Sequence, residues 1–265
     1  DWGSVLAKLE KARELLINRA GMVVNVTTDA ASFSAIRPRL AALVEALPAS
    51  KSSFASAGGK STNWLHAKNN NNEGLTIPAQ VNYVGKGANL YSLGYEPDGS
   101  VNVINRYLGT TWLWDKIRVQ GGAYGGFSQF DPTSGTFTFL SYRDPNILPT
   151  LENYDNTVRF LRGLELDESE LTKSIIGAIG DLDAYLLPDA KGWTSMARYL
   201  THYSDEERQK IRDEVLGTTV SDFKRFAEVL EQVAQNGEVV VLGAAEAIEK
   251  ANKEKEGFLE VKKVM

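Results

Sequence analysis

Apolar residues repeat at helical spacing from the first turn of the chain. Val5, Leu6, Leu9, Ala12, Leu15 and Leu16 fall on one stripe and predict an amphipathic helix over 4–20, which Gly21 stops. The unbroken run Met22-Val23-Val24-Asn25-Val26 predicts a buried strand. Ile36, Leu40, Leu43, Val44 and Leu47 predict a second helix over 34–47. A helix, a strand and a helix cannot bury all these faces among themselves, so residues 1–49 read as the tail of a preceding domain. Residues 50–76 lose the periodicity. Ser, Gly, Ala and Lys dominate there, and Asn69 to Asn72 is a run of asparagines, a composition that predicts a linker.

Regular patterning resumes at Ile77, which opens a domain predicted over 77–265. Ala79 to Val84 alternates as a strand does, and Asp98-Gly99-Ser100 is a turn and cap before a helix over 101–117. Gly121 and Gly122 end that helix. Two strands, 123–130 and 136–142, flank Asp131-Pro132-Thr133-Ser134-Gly135, a hairpin connection. Helical patterns follow over 147–162, 168–185, 191–202, 205–215 and 219–234. Then come a buried strand at 238–242, a helix at 244–252 and a short strand at 258–261. Strands followed by clustered helices, without regular alternation, predict an α+β fold with helices on one face of a sheet.

Composition narrows the classes without naming one. The 265 residues are 43% hydrophobic and 24% charged, enough apolar side chain for a packed core. A net charge of −5 disfavours nucleic acid and anionic membrane surfaces as partners. No apolar run approaches the roughly 20 residues of a membrane span. With no cysteine in the chain, disulfides, thiol nucleophiles and cysteine-ligated metals are excluded.

Several local matches to known motifs are incomplete. Gly58-Gly59-Lys60-Ser61-Thr62 carries the end of a phosphate-binding loop, but Phe54 stands where that loop needs its first glycine. Gly85-Lys86-Gly87 starts like a dinucleotide fingerprint, and Leu90 replaces its third glycine. The two histidines, His66 and His202, lie far apart and form no metal-ligand spacing.

The segment from Trp112 to Phe127 is more informative. It places Arg118 at the end of a helix and Tyr124 at the start of a strand, with Gly121 and Gly122 between them. Arg118 read plainly complements a helix dipole, and Tyr124 is a rim residue of a half-buried sheet. Read functionally, a guanidinium and a phenol brought together by a glycine turn both donate hydrogen bonds, and can hold a peptide carbonyl or a developing oxyanion.

At this segment the chain resembles the C-terminal part of the presequence proteases, the organellar branch of the pitrilysin-type inverted zinc metallopeptidases. The resemblance runs through Val81-Asn82-Tyr83-Val84-Gly85-Lys86, Thr111-Trp112-Leu113-Trp114-Asp115, Arg118 to Phe127, and Phe139-Leu140-Ser141-Tyr142-Arg143-Asp144-Pro145-Asn146. It continues in Ile175 to Asp181, Leu187 to Gly192, Ala251 to Glu254 and Phe258 to Lys263, so it covers about 80–263 and is fainter over 1–49.

The resemblance implies a pitrilysin/processing-peptidase-like domain, a mostly antiparallel sheet with helices packed on one face. It implies an enzyme of two bowl-shaped halves that enclose a chamber for unstructured peptides, including cleaved targeting presequences. Zinc is held by a His-x-x-Glu-His site in the N-terminal half, and no such motif appears in this chain. Arg118 and Tyr124 fall on the family's substrate-holding arginine and tyrosine.

The expectations are therefore these. This part supplies Arg118 and Tyr124 to a shared active site, binds no cofactor or metal itself, and is inactive without the N-terminal zinc-binding half. Its partners are that half and unstructured peptides, not nucleic acid or membrane. Its location is the mitochondrial matrix or the chloroplast stroma. The competing readings are a non-catalytic structural subunit of the same fold and a free-standing peptide-binding module.

Overall fold

The computed structural model describes residues 1–49 and 72–264. The Gly-Lys-Ser segment, His66 and most of the predicted linker lie outside the described residues. The chain divides into two compact units, Asp1–Lys68 with Tyr185–Ser204, and Asn69–Ala184 with Asp205–Met265.

The first unit contains α1 (Trp2–Leu16), α2 (Ala30–Ala46) and α6 (Pro188–Thr201). Asp1 and Asp29 cap α1 and α2 through their carboxylates, which accept from Gly3 N–H and Ser32 N–H. The strand expected at Met22–Val26 does not form. Residues 22–29 carry no regular structure, and Met22, Val23 and Val24 are exposed. No strand of this unit is present among the described residues to complete a ladder, so an apolar run alone makes no sheet. The segment is tied instead by Asn25, whose side-chain amide donates to Gly192 O at 3.0 Å.

The second unit is built on one six-stranded sheet in the order β3-β4-β2-β5-β1-β6. The strands are β1 (Glu73–Thr76), β2 (Tyr83–Asn89), β3 (Gly125–Asp131), β4 (Thr136–Tyr142), β5 (Glu238–Gly243) and β6 (Glu260–Lys263). The pairs β3·β4, β4·β2 and β2·β5 are antiparallel, whereas β1 runs parallel to both β5 and β6. The fold is thus the expected α+β type with a mostly antiparallel sheet. The strand β1 begins inside the stretch whose composition suggests a linker. Its Glu-Gly-Leu-Thr sequence is too short to show a period, and the two neighbours that pair with it come from the far end of the chain.

The two sides of the sheet are unlike. Val84, Phe137, Phe139, Val239 and Val241 point to one side and are buried, as the period of two requires. Helices α3 (Ser100–Thr110), α4 (Leu148–Arg162) and α8 (Val220–Asn236) cover that side, α3 against β3, and α4 and α8 against β2. In α8 the buried residues Phe223, Phe226, Ala227, Leu230 and Val233 follow the helical repeat, and Thr219 and Asp222 form a capping box at its start. The helices α5 (Glu168–Leu182), α7 (Asp205–Leu216) and α9 (Ala245–Glu254) complete the unit.

Lys86 and Tyr154 are among the polar groups that sit in this core with partners. Lys86, nearly buried, donates from Nζ to Asp155 Oδ1 at 2.6 Å and to Ala234 O at 2.8 Å. Tyr154 donates to Val84 O at 3.1 Å, and burial pushes its phenol above the ordinary tyrosine range.

On the opposite side Tyr124, Phe127, Leu140, Tyr142 and Val240 are exposed.

A candidate substrate-holding surface

The surface around Arg118 exists because a helix stops early and then restarts in a wider form. α3 ends at Thr110, short of the position that periodicity predicts. The hydroxyls of Thr110 and Thr111 donate back to Arg106 O at 3.0 Å and Tyr107 O at 2.6 Å, competing with the backbone ladder. Residues Trp114–Gln120 then form a π-helical turn. Such turns are rare and concentrate at functional sites. Ile117 is the turn's buried anchor, while Arg118 beside it is exposed.

Three contacts hold the turn in place. Trp112 stacks on Phe160 at 4.8 Å and donates from Nε1 to Asn153 O at 3.1 Å. Asn146, just beyond β4, donates from its side chain to Gly121 O at 2.7 Å. Gly122 has φ 78°, a left-handed turn that lets the chain reverse into β3. At Gly126 a Cβ would stand 2.8 Å from Ile117 Cβ, so a glycine there lets β3 lie directly on the turn.

These constraints bring the two expected residues together. The Arg118 guanidinium carbon lies 5.5 Å from the centroid of the Tyr124 ring, and 4.3 Å from that of Trp114. Tyr124 meets Tyr142 edge to face at 5.8 Å, and Tyr142 meets Tyr83 at 5.5 Å. The strand pairing supports this, since Tyr124 N–H donates to Tyr142 O at 3.0 Å.

The site is cationic and aromatic. Among the described residues, no hydrogen bond or ion pair engages the Arg118 guanidinium or the Tyr124 hydroxyl. Asp115, the acid on the same turn, is taken up by Lys116 at 3.4 Å and by Gln120 Nε2 at 2.7 Å. Arg118 and Tyr124 therefore both keep donors available to a ligand. Tyr124, at 63% exposure, presents its ring and hydroxyl to solvent on the open side of the sheet.

Sequence reading assigned no role to Trp114, Tyr142 or Tyr83. The signal for Trp114 was its place four residues before Arg118, one helical turn away. The signal for Tyr142 was its place across the hairpin from Tyr124.

A metal centre has no ligand set here. Among the described residues, no group of three or more His, Cys, Asp or Glu is arranged to hold a metal ion. His202 sits at the C-cap of α6, in the first unit, with left-handed backbone. No helix among the described residues is long and apolar enough to cross a membrane.

The fold and site define a class: an α+β domain whose open sheet face carries an arginine and a tyrosine side by side. The family model described as the PreP C-terminal domain matches residues 72–246, and the chain belongs to that family. Presequence protease 1, chloroplastic/mitochondrial, from Arabidopsis thaliana is 49% identical over 265 residues, covering 100% of this chain and 24% of that protein. Protein HypA from Clostridium perfringens is 35% identical over 246 residues, covering 93% of this chain and 24% of its own length. Among solved structures, the peptidase M16 inactive domain from Pseudomonas fluorescens aligns over 65% of this chain and 43% of its own, at 16% identity and a TM-score of 0.49. The chain thus spans about a quarter of the length of the curated relatives it matches.

Proposed function

We propose that this chain is the substrate-clamping part of a zinc metallopeptidase that degrades cleaved targeting presequences and other short unstructured peptides in mitochondria or chloroplasts. The single observation that carries the reading is the Arg118–Tyr124 pair, fixed by the π-helical turn and free of internal partners on the open sheet face. Membership of the PreP C-terminal domain family supports it, as does the similarity to Arabidopsis presequence protease 1.

The chain's own contribution is binding and charge stabilisation. The Arg118 guanidinium and the Tyr124 hydroxyl donate to the carbonyl oxygen of the scissile peptide, and more strongly to the oxyanion that forms from it. Trp114 holds the guanidinium against its ring face and limits its swing. The apolar row of Phe127, Leu140 and Val240 on the same open face suits the side chains of an unfolded peptide. The strand β3 is one of the sheet's two edges, and an extended peptide pairs along it next to Tyr124. Zinc, when bound by the N-terminal half, supplies the activated water. Among the described residues no ligand set fits that ion, and on this reading this part alone is inactive.

The test is hydrolysis of an unstructured peptide by the full-length protein that contains this chain. Tyr124→Phe lowers kcat with little change in KM, because the hydroxyl acts mainly on the transition state. The loss expected for one such donor is about 3–4 kcal/mol, or two to three orders of magnitude in rate. Unchanged kcat in both Tyr124→Phe and Arg118→Ala overturns the assignment.

A further inference from the structure

We propose that Arg143 is a second substrate-contacting cation on this surface, and that it recognises a carboxylate of the bound peptide, either an acidic side chain or the free C-terminus. The inference rests on the substrate-clamping reading above and names one chemical feature of the substrate.

Position is the first argument. Arg143 follows β4 directly, and its guanidinium carbon lies 5.5 Å from the centroid of the Tyr142 ring. Tyr142 meets Tyr124 at 5.8 Å, and Tyr124 lies under Arg118 at 5.5 Å. Two guanidinium groups therefore bracket one pair of tyrosines on one face. Ring contact holds an arginine fork in place while leaving its N–H edges open, the arrangement that binds a carboxylate through two parallel hydrogen bonds.

Charge is the second. Among the described residues, no hydrogen bond or ion pair engages Arg143. The adjacent carboxylate, Asp144, is fully buried, and its oxygens accept from Asn146 N–H at 2.8 Å and from the Thr150 hydroxyl at 2.7 Å. An exposed cation that no internal acid neutralises among the described residues, joined to Arg118 through the Tyr142–Tyr124 pair, adds to the positive charge of this face. That charge favours a peptide carboxylate and disfavours a lysine or arginine at the same subsite.

Backbone geometry is the third, independent of the other two. Arg143 has φ 50°, and among the described residues only His202 shares a positive φ without being glycine. The neighbours impose the turn. Asn82 and Asp144 exchange backbone hydrogen bonds at 2.8 Å in both directions, and Asn82 Nδ2 donates to Asp144 O at 3.0 Å, so the chain must bend sharply between β4 and this bridge. Glycine or asparagine meets such a requirement with less strain than a long side chain does. The backbone explains the turn, but not the arginine. Strained positions of this kind gather where ligands are held.

The experiment uses the full-length protein and matched peptides differing only in charge. One pair carries Glu or Gln at successive positions around the scissile bond, and another carries a free or an amidated C-terminus. The wild-type protein prefers the carboxylate member of one pair by about two- to fivefold in kcat/KM, the scale of an exposed charge contact. Preference within the first pair identifies an acidic side chain, and within the second the C-terminus. In Arg143→Gln the preference disappears through KM, and Arg143→Lys restores part of it. Arg143→Gly also loses the preference while melting no lower than wild type, since it relieves the backbone, which separates lost recognition from lost folding. Equal kcat/KM within both pairs for the wild type, or a preference that survives in Arg143→Gln and Arg143→Gly, overturns the inference. The parent reading is scored separately, by kcat on the neutral peptides in Tyr124→Phe and Arg118→Ala.

Discussion

The two sides of the sheet come from the same strands and differ in almost everything else. On β4, Phe137 and Phe139 are buried under α4 and α8, while Leu140 and Tyr142 of the same strand stand 39% and 40% exposed. One side spends its apolar residues on packing. The other keeps aromatic and cationic groups exposed, touching one another, with the Arg118 guanidinium and the Tyr124 hydroxyl free of internal hydrogen bonds among the described residues. The contrast teaches that alternation along a strand does not by itself assign a polar face to water. Here the outward set mixes Thr138, Gln129 and Glu238 with the apolar and aromatic Phe127, Leu140, Tyr142 and Val240.

The comparison breaks most sharply at Phe137, whose ring packs edge to face on Phe139 at 4.9 Å and on Phe226 at 5.8 Å. Phe137→Ala is expected to destabilise the domain by about 3–5 kcal/mol, and Leu140→Ala by less than about 1 kcal/mol, measured by urea denaturation. Equal costs would show that the open side is packed in solution.

Lys86 probes the polar element of the covered side. Lys86→Ala removes the partner of both Asp155 and the Ala234 carbonyl and is expected to cost about 1–3 kcal/mol. Lys86→Met, which keeps most of the stem, costs less.

Alkaline pH probes the covered side. Burial raises the phenols of Tyr154 and Tyr95 on the covered side, Tyr95 to about 12. In the unfolded chain these phenols ionise near pH 10. Above that pH the unfolded state binds fewer protons than the folded one, so stability falls as pH rises from about 10 to 12. Below pH 10 the contribution is fully present. Tyr95→Phe should flatten this fall in thermal melts taken across that window, and an unchanged slope would contradict the buried environment. The smallest effect belongs to the open side, where Phe127→Ser is expected to shift stability by less than about 0.5 kcal/mol while weakening peptide binding.

Much of the fold was legible before any coordinates. The ranges of α4, α7, α8, β4 and β5 follow the hydrophobic period closely, because each packs one apolar face against a partner in its own unit. The failures have one common cause. Met22–Val26 has a strand's composition and no partner strand among the described residues, and β1 has partners but almost no composition to announce them. The helix expected over 101–117 breaks at Thr111, where the hydroxyls of Thr110 and Thr111 donate to Arg106 O and Tyr107 O beside the backbone bonds. At the site, Arg118 and Tyr124 stood out by residue type and by the glycines between them.

By itself, then, the sequence determined most of the element types, the helix-facing core, and two donors flanking a glycine turn, since all of these depend on local chemistry and short-range period. It also carried enough ordered matches to point to one peptidase family. The tertiary structure alone decided that Trp114, Tyr142 and Arg143 join those donors. Their meeting depends on the π-helical register, on β3 lying against Ile117, and on a left-handed turn bridged by Asn82, which precedes β2. Contacts of that kind are fixed by which elements pack together, and no window of neighbouring residues encodes them.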